Sequence, residues 1–162
     1  LSFERGTAFV SGMLQTMELC TELADLAEHI TRGSATAWDD DGLRRDLGRI
    51  AAELDALWAL TKRNISEATR TGLVGPGGSV FKLAYTDLRH RLGEIALHLL
   101  DRASLSLDDL GGLPTGEHVR GRIHGISMTI AAGTTQVQKN IIAERILGLP
   151  KEPPVAAAPG AR

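Results

Sequence analysis

The side chains of this sequence that could do chemistry fall into a few groups, and spacing decides most of them. Five histidines, His29, His90, His98, His118 and His124, lack the i, i+4 pairing and the glutamate partner of a helical metal site, so no metal is expected. They read as ordinary surface or partly buried imidazoles. Cys20 is the only cysteine and stands among the helical apolar positions Met17, Leu23 and Ala24, which fits a buried inert thiol. Gly75-Pro76-Gly77-Gly78-Ser79 precedes a helix as a phosphate loop would, yet without a strand before it or a Gly-Lys-Ser/Thr ending, so a flexible connector is expected. Trp38 and Trp58 are too isolated to form a base-stacking platform. Two places remain. Glu4 and Arg5 open a helix, where an acid ordinarily does no more than complement the positive helix end. Gly133-Thr134-Thr135-Gln136 is a glycine turn opening another helix. By themselves these residues read as a plain threonine cap after a glycine turn, at a helix start whose free N–H groups and dipole suit polar atoms.

Helices must position these groups, because the apolar pattern is helical almost throughout. Residues 3–31 carry Phe9, Val10, Met13, Met17, Cys20, Leu23, Ala24, Ala27 and Ile30 at three- and four-residue steps, one buried face of a long helix. Arg32-Gly33-Ser34 reads as its stop. Asp39-Asp40-Asp41 announces a second helix running to about 69, with Leu43, Leu47, Ile50, Leu54 and Leu57 inward. After the glycine- and proline-rich break at 72–78, Ser79 is expected to cap a third helix with Phe81, Tyr85, Leu88, Leu92, Ile95 and Leu99 inward. A loop at about 104–115 and a shorter helix over 117–129 follow. Thr134 or Thr135 then caps a last helix reaching 147, with Val137, Ile141, Ile142 and Ile146 inward. No strand and no internal repeat is expected. The pattern predicts an all-α, antiparallel (up-and-down) helical bundle of four to five helices over 1–149, with a disordered Pro- and Ala-rich tail over 150–162.

Composition excludes several function classes. The 162 residues suit one domain, and a net charge of −2 with both signs mixed along the chain lacks the basic stripe of a nucleic-acid binder. No apolar stretch approaches the length needed to cross a bilayer, and Leu1-Ser2-Phe3-Glu4-Arg5 does not read as a signal peptide. A lone cysteine fits a reducing, cytoplasmic compartment.

The segment from Ile130 to Pro150 contains Gly133-Thr134-Thr135-Gln136 and ends Ile141-Ile142-Ala143-Glu144-Arg145-Ile146-Leu147-Gly148-Leu149-Pro150. It resembles the closing segment of acyl-CoA dehydrogenases, where a Gly-Thr pair opens the last helix and a stretch of the form IIAERxLGLP ends it. The opening, Leu1-Ser2-Phe3-Glu4-Arg5, resembles the family's entry into its C-terminal helical domain, where an acid or threonine precedes an arginine. The resemblance spans about 1–150 and implies that the N-terminal helical and middle β domains of the subunit are absent from this chain. It implies FAD as cofactor, an acyl-CoA substrate, an electron-transfer flavoprotein as electron acceptor, and a homotetramer or a mixed two-subunit tetramer.

The family reaction removes the proton α to a thioester carbonyl and passes the β-hydride to FAD. Such a proton is weakly acidic, so a carboxylate base must be placed within reach and desolvated, and the enolate oxygen needs preset donors. Family members carry the base either just before the Gly-Thr pair, which is Ala132 here, or before the arginine of the opening helix, which is Glu4 here. The vacancy at one place and the acid at the other make Glu4 the expected base. The resemblance further assigns Phe3, Arg5 and Gly133 to the substrate and Thr134, Thr135 and Gln136 to the flavin. Glu4 and the Gly-Thr turn are therefore expected at one end of the bundle. Two departures point to a divergent branch, such as actinobacterial sterol side-chain enzymes with two kinds of subunit. Ile30-Thr31-Arg32-Gly33-Ser34 lacks the family's Arg-Phe-Gly, leaving Arg32 displaced, and Gly111-Gly112 lacks the preceding glutamine. The alternatives are a non-catalytic partner subunit of a heteromeric dehydrogenase, a cofactor-free helical interaction bundle, and a sister acyl-CoA oxidase or flavin monooxygenase. Acyl chain length and a sterol as against a fatty acyl substrate are not readable in this sequence.

Overall fold

A computed structural model describes residues 4–73, 75, 77–109 and 111–151, with the backbone alone for 4–9. Among the described residues five α-helices make up the fold: α1 (Glu4–His29), α2 (Asp41–Thr71), α3 (Gly77–Leu100), α4 (Thr115–Ser127) and α5 (Thr135–Arg145). This is the all-α bundle expected from the periodicity. Successive long helices run antiparallel. Arg91 of α3 meets Glu53 of α2, with Asn64 lying against Gly77, and Arg122 of α4 meets His90 of α3 while the α4 exit reaches back to Lys82. As a result α1 and α3 run parallel, Gly12 and Thr16 lying beside Tyr85 and Arg32 beside His98.

The core is built from the apolar stripes. Met13, Leu23, Leu26 and Ala27 of α1, Leu47, Ile50, Leu54 and Leu57 of α2, and Phe81, Tyr85, Leu88, Leu92, Ala96 and Leu99 of α3 are buried together. α3 is central and contacts α1, α2, α4 and α5. Threonines enter this core at Thr16, Thr61 and Thr86, each donating its hydroxyl to the carbonyl four residues back, which removes the cost of an unpaired buried O–H.

Several local expectations need correction. A short antiparallel pair, β1 (Thr31–Arg32) and β2 (Ala35–Thr36), follows α1 where no strand was expected. Gly33, at φ +67°, supplies the first position of its two-residue turn, so this glycine serves a hairpin and not the helix stop. Two-residue strands are too short to show alternation in sequence. Ser79 does not cap α3; the helix begins at Gly77, and Ser79 is buried in its first turn. Asp40 is the α2 cap, its carboxylate accepting from Gly42 N–H at 2.7 Å and Leu43 N–H at 3.3 Å. In α5, Val137 and Ile146 are 47% and 44% exposed, while Gln138 is completely buried. The expected inward face is thus rotated, because α5 packs on α3 by its Gln138 edge. Most of the expected disordered tail, residues 152–162, falls outside the described residues.

Candidate active site at the glycine–threonine turn

The path from α4 to α5 is set by a compact turn. Beyond Ser127 the chain winds on through Thr129 N–H to Ile126 carbonyl and Ile130 and Ala131 N–H to Ser127 carbonyl, each at 3.1 Å. It then reverses through Ala132 at φ +56° and Gly133 at φ +98°. An alanine in the left-handed region costs on the order of 1–2 kcal/mol, so the surroundings must hold it there. Thr134 caps α5 by accepting from Val137 N–H at 3.4 Å, as the sequence predicts. Thr135 is the first residue of α5 and half-buried, and Gln136 is exposed. The first N–H groups of a helix have no intrahelical acceptors, which leaves this end polar and positive.

Two buried side chains grip the turn from different helices. Gln138 of α5 donates from Nε2 to the Ala132 carbonyl at 2.6 Å, and its Oε1 has no partner among the described residues. A Cβ at residue 133 would stand 2.7 Å from that Nε2, so close packing as well as positive φ requires glycine here. Lys82 of α3 is completely buried and donates from Nζ to the Thr129 carbonyl at 3.2 Å. Burial pushes its ammonium pKa below the usual 10.5. Neither residue was singled out in the sequence. A signal exists for Lys82, which shares the buried spacing of Phe81 and Tyr85, three and four residues before Tyr85 and Thr86.

Next to Lys82, the Tyr85 ring stacks on Phe81 at 5.6 Å, and its hydroxyl lies 3.3 Å from Thr16 Oγ1, which donates to the Gly12 carbonyl. Gly12 lets α1 approach, since a Cβ there would be 2.7 Å from the Tyr85 hydroxyl oxygen. The start of α1 therefore lies at the same end of the bundle as the glycine–threonine turn, with the Glu4 backbone about 12 Å beyond Gly12 along the axis. Phe3 lies outside the described residues, as do the side chains of Glu4 and Arg5, so contact between them and Gly133, Thr134, Thr135 or Gln136 is an expectation from sequence only.

The other groups weighed in sequence have ordinary surroundings. Cys20 is buried with Sγ 4.0 Å from the Leu47 carbonyl, and burial raises its pKa, as an inert thiol requires. His118 is buried and its pKa is depressed, chiefly by desolvation. Arg32 donates to the His98 and Leu99 carbonyls at 3.1 and 3.4 Å, so its guanidinium is held at the end of α3. An open cavity of about 430 Å³ at this hairpin end is lined by polar side chains including Arg32, Asp40, Asp46, Arg49, Arg91 and His98, of which Arg32 and Asp40 are engaged with backbone groups. Among the described residues no three metal-ligating side chains lie together.

The profile of the acyl-CoA dehydrogenase C-terminal domain matches residues 1–147, nearly all of the described bundle. The chain belongs to the acyl-CoA dehydrogenase family. Acyl-CoA dehydrogenase IpdE1 of Mycobacterium tuberculosis is 35% identical over 155 residues, covering 94% of this chain and 37% of the relative. The Mycolicibacterium smegmatis IpdE1 is 34% identical over 155 residues, covering 94% and 36%. This acyl-CoA dehydrogenase domain thus spans a little over a third of the length of these relatives. Its fold is that of the ChsE4–ChsE5 complex from M. tuberculosis, with TM-score 0.73 at 23% identity over 85% of this chain and 36% of that one. An FAD-dependent dehydrogenase structure matches with TM-score 0.72 at 16% identity over 91% of this chain and 38% of that one. Gly133 is packed against Gln138 Nε2 and Thr134 caps the Val137 N–H, so the polar capacity of the turn toward a cofactor rests on the remaining first N–H groups of α5.

Proposed function

We propose that this chain is the C-terminal part of an FAD-dependent acyl-CoA dehydrogenase subunit that introduces an α,β double bond into an acyl-CoA thioester. In this reading Glu4 takes the α-proton, Phe3, Arg5 and Gly133 border the thioester, and Thr134, Thr135 and Gln136 border the flavin. Bound FAD would accept the β-hydride, the electrons then passing to an electron-transfer flavoprotein. The chain's own contributions are a carboxylate at the first turn of α1 and a preset row of N–H donors at the start of α5. Abstraction of a weakly acidic α-proton would need this carboxylate desolvated once substrate is bound, which keeps it basic. What carries the reading is the common end of the bundle shared by the start of α1 and the glycine–threonine turn, through the Gly12–Tyr85 and Lys82–Thr129 contacts. Support for an assembly comes from Ile123, Ile126 and Ile130, a stripe at three- and four-residue steps that is 56%, 51% and 69% exposed and suits a subunit interface. In the complete subunit, Glu4→Gln is expected to keep FAD and lose dehydrogenation by about a thousandfold or more; near-normal turnover would end the base assignment.

A second reading, a non-catalytic partner in a mixed tetramer, draws on one observation. The family's Arg-Phe-Gly is missing, and Arg32, displaced from its place, is engaged with α3 carbonyls. Flavin stoichiometry of the complete subunit, purified alone and then with the product of the adjacent gene, separates the two readings. Flavin bound and reduced by the subunit alone favours catalysis; flavin only in the mixed complex, with Glu4→Gln silent, favours the partner role.

A further inference from the structure

The glycine–threonine turn is gripped in a manner its cap does not require. Thr129 lies just past α4, where helix carbonyls run out of donors, and Ala132 is held in a left-handed conformation that alanine disfavours. A water molecule or a surface side chain could serve those carbonyls cheaply. Instead the Thr129 carbonyl receives a lysine ammonium and the Ala132 carbonyl a glutamine amide, both from completely buried side chains. Each is costly to bury. Lys82 has three N–H donors and one acceptor among the described residues, and Gln138 Oε1 has none. A methionine at either place would fill a similar volume without a polar side chain to bury, losing only the donor to the Thr129 or Ala132 carbonyl.

We propose that Lys82 and Gln138 are positioning residues that clamp the Thr129 and Ala132 carbonyls and so fix the backbone path of Gly133 and the first N–H groups of α5. The cost in core stability is offset by a rigid turn. Thr129 and Ala132 are three residues apart, so fixing both carbonyls leaves the intervening backbone little freedom, and Gly133 is seated directly against Gln138 Nε2. Neither residue is proposed to touch substrate. The positioning role rests on the reading of this turn as the flavin-facing edge of the site.

The test uses the complete, flavin-loaded subunit and Lys82→Met, with three readouts. Amide hydrogen exchange over residues 129–136 should accelerate about tenfold or more, with exchange in the α2 core over residues 47–57 unchanged. The melting temperature should fall by no more than a few degrees, since one partly buried hydrogen bond is lost while the cost of burying the ammonium is also removed. The kcat should fall about tenfold with KM within about threefold, the signature of an interaction needed in the transition state. Unchanged exchange in the turn overturns the clamp. Faster exchange with unchanged kcat overturns the positioning role while leaving the clamp itself in place, and the two failures are thereby distinct. A wild-type subunit that neither binds flavin nor dehydrogenates would instead overturn the functional reading, with the exchange experiment still deciding the clamp. If Lys82→Met does not fold, Gln138→Met is judged by the same three readouts.

Discussion

The two ends of this bundle solve the same problem by different means. At the hairpin end, helix termini are satisfied by hydrated charge: Arg32 reaches the last carbonyls of α3, Asp40 caps α2, and Asp39 accepts from the Thr36 N–H and hydroxyl. The left-handed residue at that end is Asp101, a type that tolerates the conformation. At the glycine–threonine end, the Thr129 and Ala132 carbonyls are met by the buried side chains of Lys82 and Gln138, and the non-glycine residue in the left-handed region is an alanine. At the first end the partners are exposed charges, and at the second they are completely buried side chains. Changes at the hairpin end should therefore be chemically silent, and changes at the turn tied to activity.

The largest contrast is expected between two acids. Glu4→Gln should lower kcat by about a thousandfold, whereas Asp40→Asn should leave it within about twofold in the same assay. Equal losses would break the comparison. Two glycines sharpen it next. Gly33→Ala meets only backbone strain, with no atom near the new methyl, and should cost about 1 kcal/mol. Gly133→Ala adds a clash with Gln138 Nε2 and should cost about two to three times as much, read from urea midpoints of the complete subunit. A further test uses pH. Burial holds the His118 pKa below 6.5 in the folded protein, so as pH falls the unfolded chain takes up the proton first. Stability should thus decline from about pH 6.5 downward, and His118→Gln should flatten the fall in urea midpoint between pH 7 and 5. The smallest effect is expected at the exposed cap: Asp40→Ala should lower the melting temperature by roughly 2–4 °C without altering flavin content.

Much of the frame was legible in the residues. The stripes of α1, α2 and α3 place Met13, Leu23, Leu54 and Leu92 in the core as their spacing demands, and Thr134 caps α5 as a threonine after glycine should. The face of α5 was misread because Val137, Ile141, Ile142 and Ile146 form an apolar set, whereas the position that packing buries completely is Gln138. Val137 and Ile146 remain exposed on the bundle, and a helix used at an assembly interface need not point its apolar residues at its own core.

What the sequence by itself determined is local: helix faces, caps, breaks, and the glycine–threonine motif, all of which depend on neighbours within about one turn. Only the tertiary structure decided which distant groups meet. Lys82 and Thr129 are brought together because α4 folds back antiparallel on α3, and Gln138 meets Ala132 because α5 packs across the turn it follows. A lysine on an apolar stripe and a glutamine beside a cap look like surface residues until packing removes the water around them.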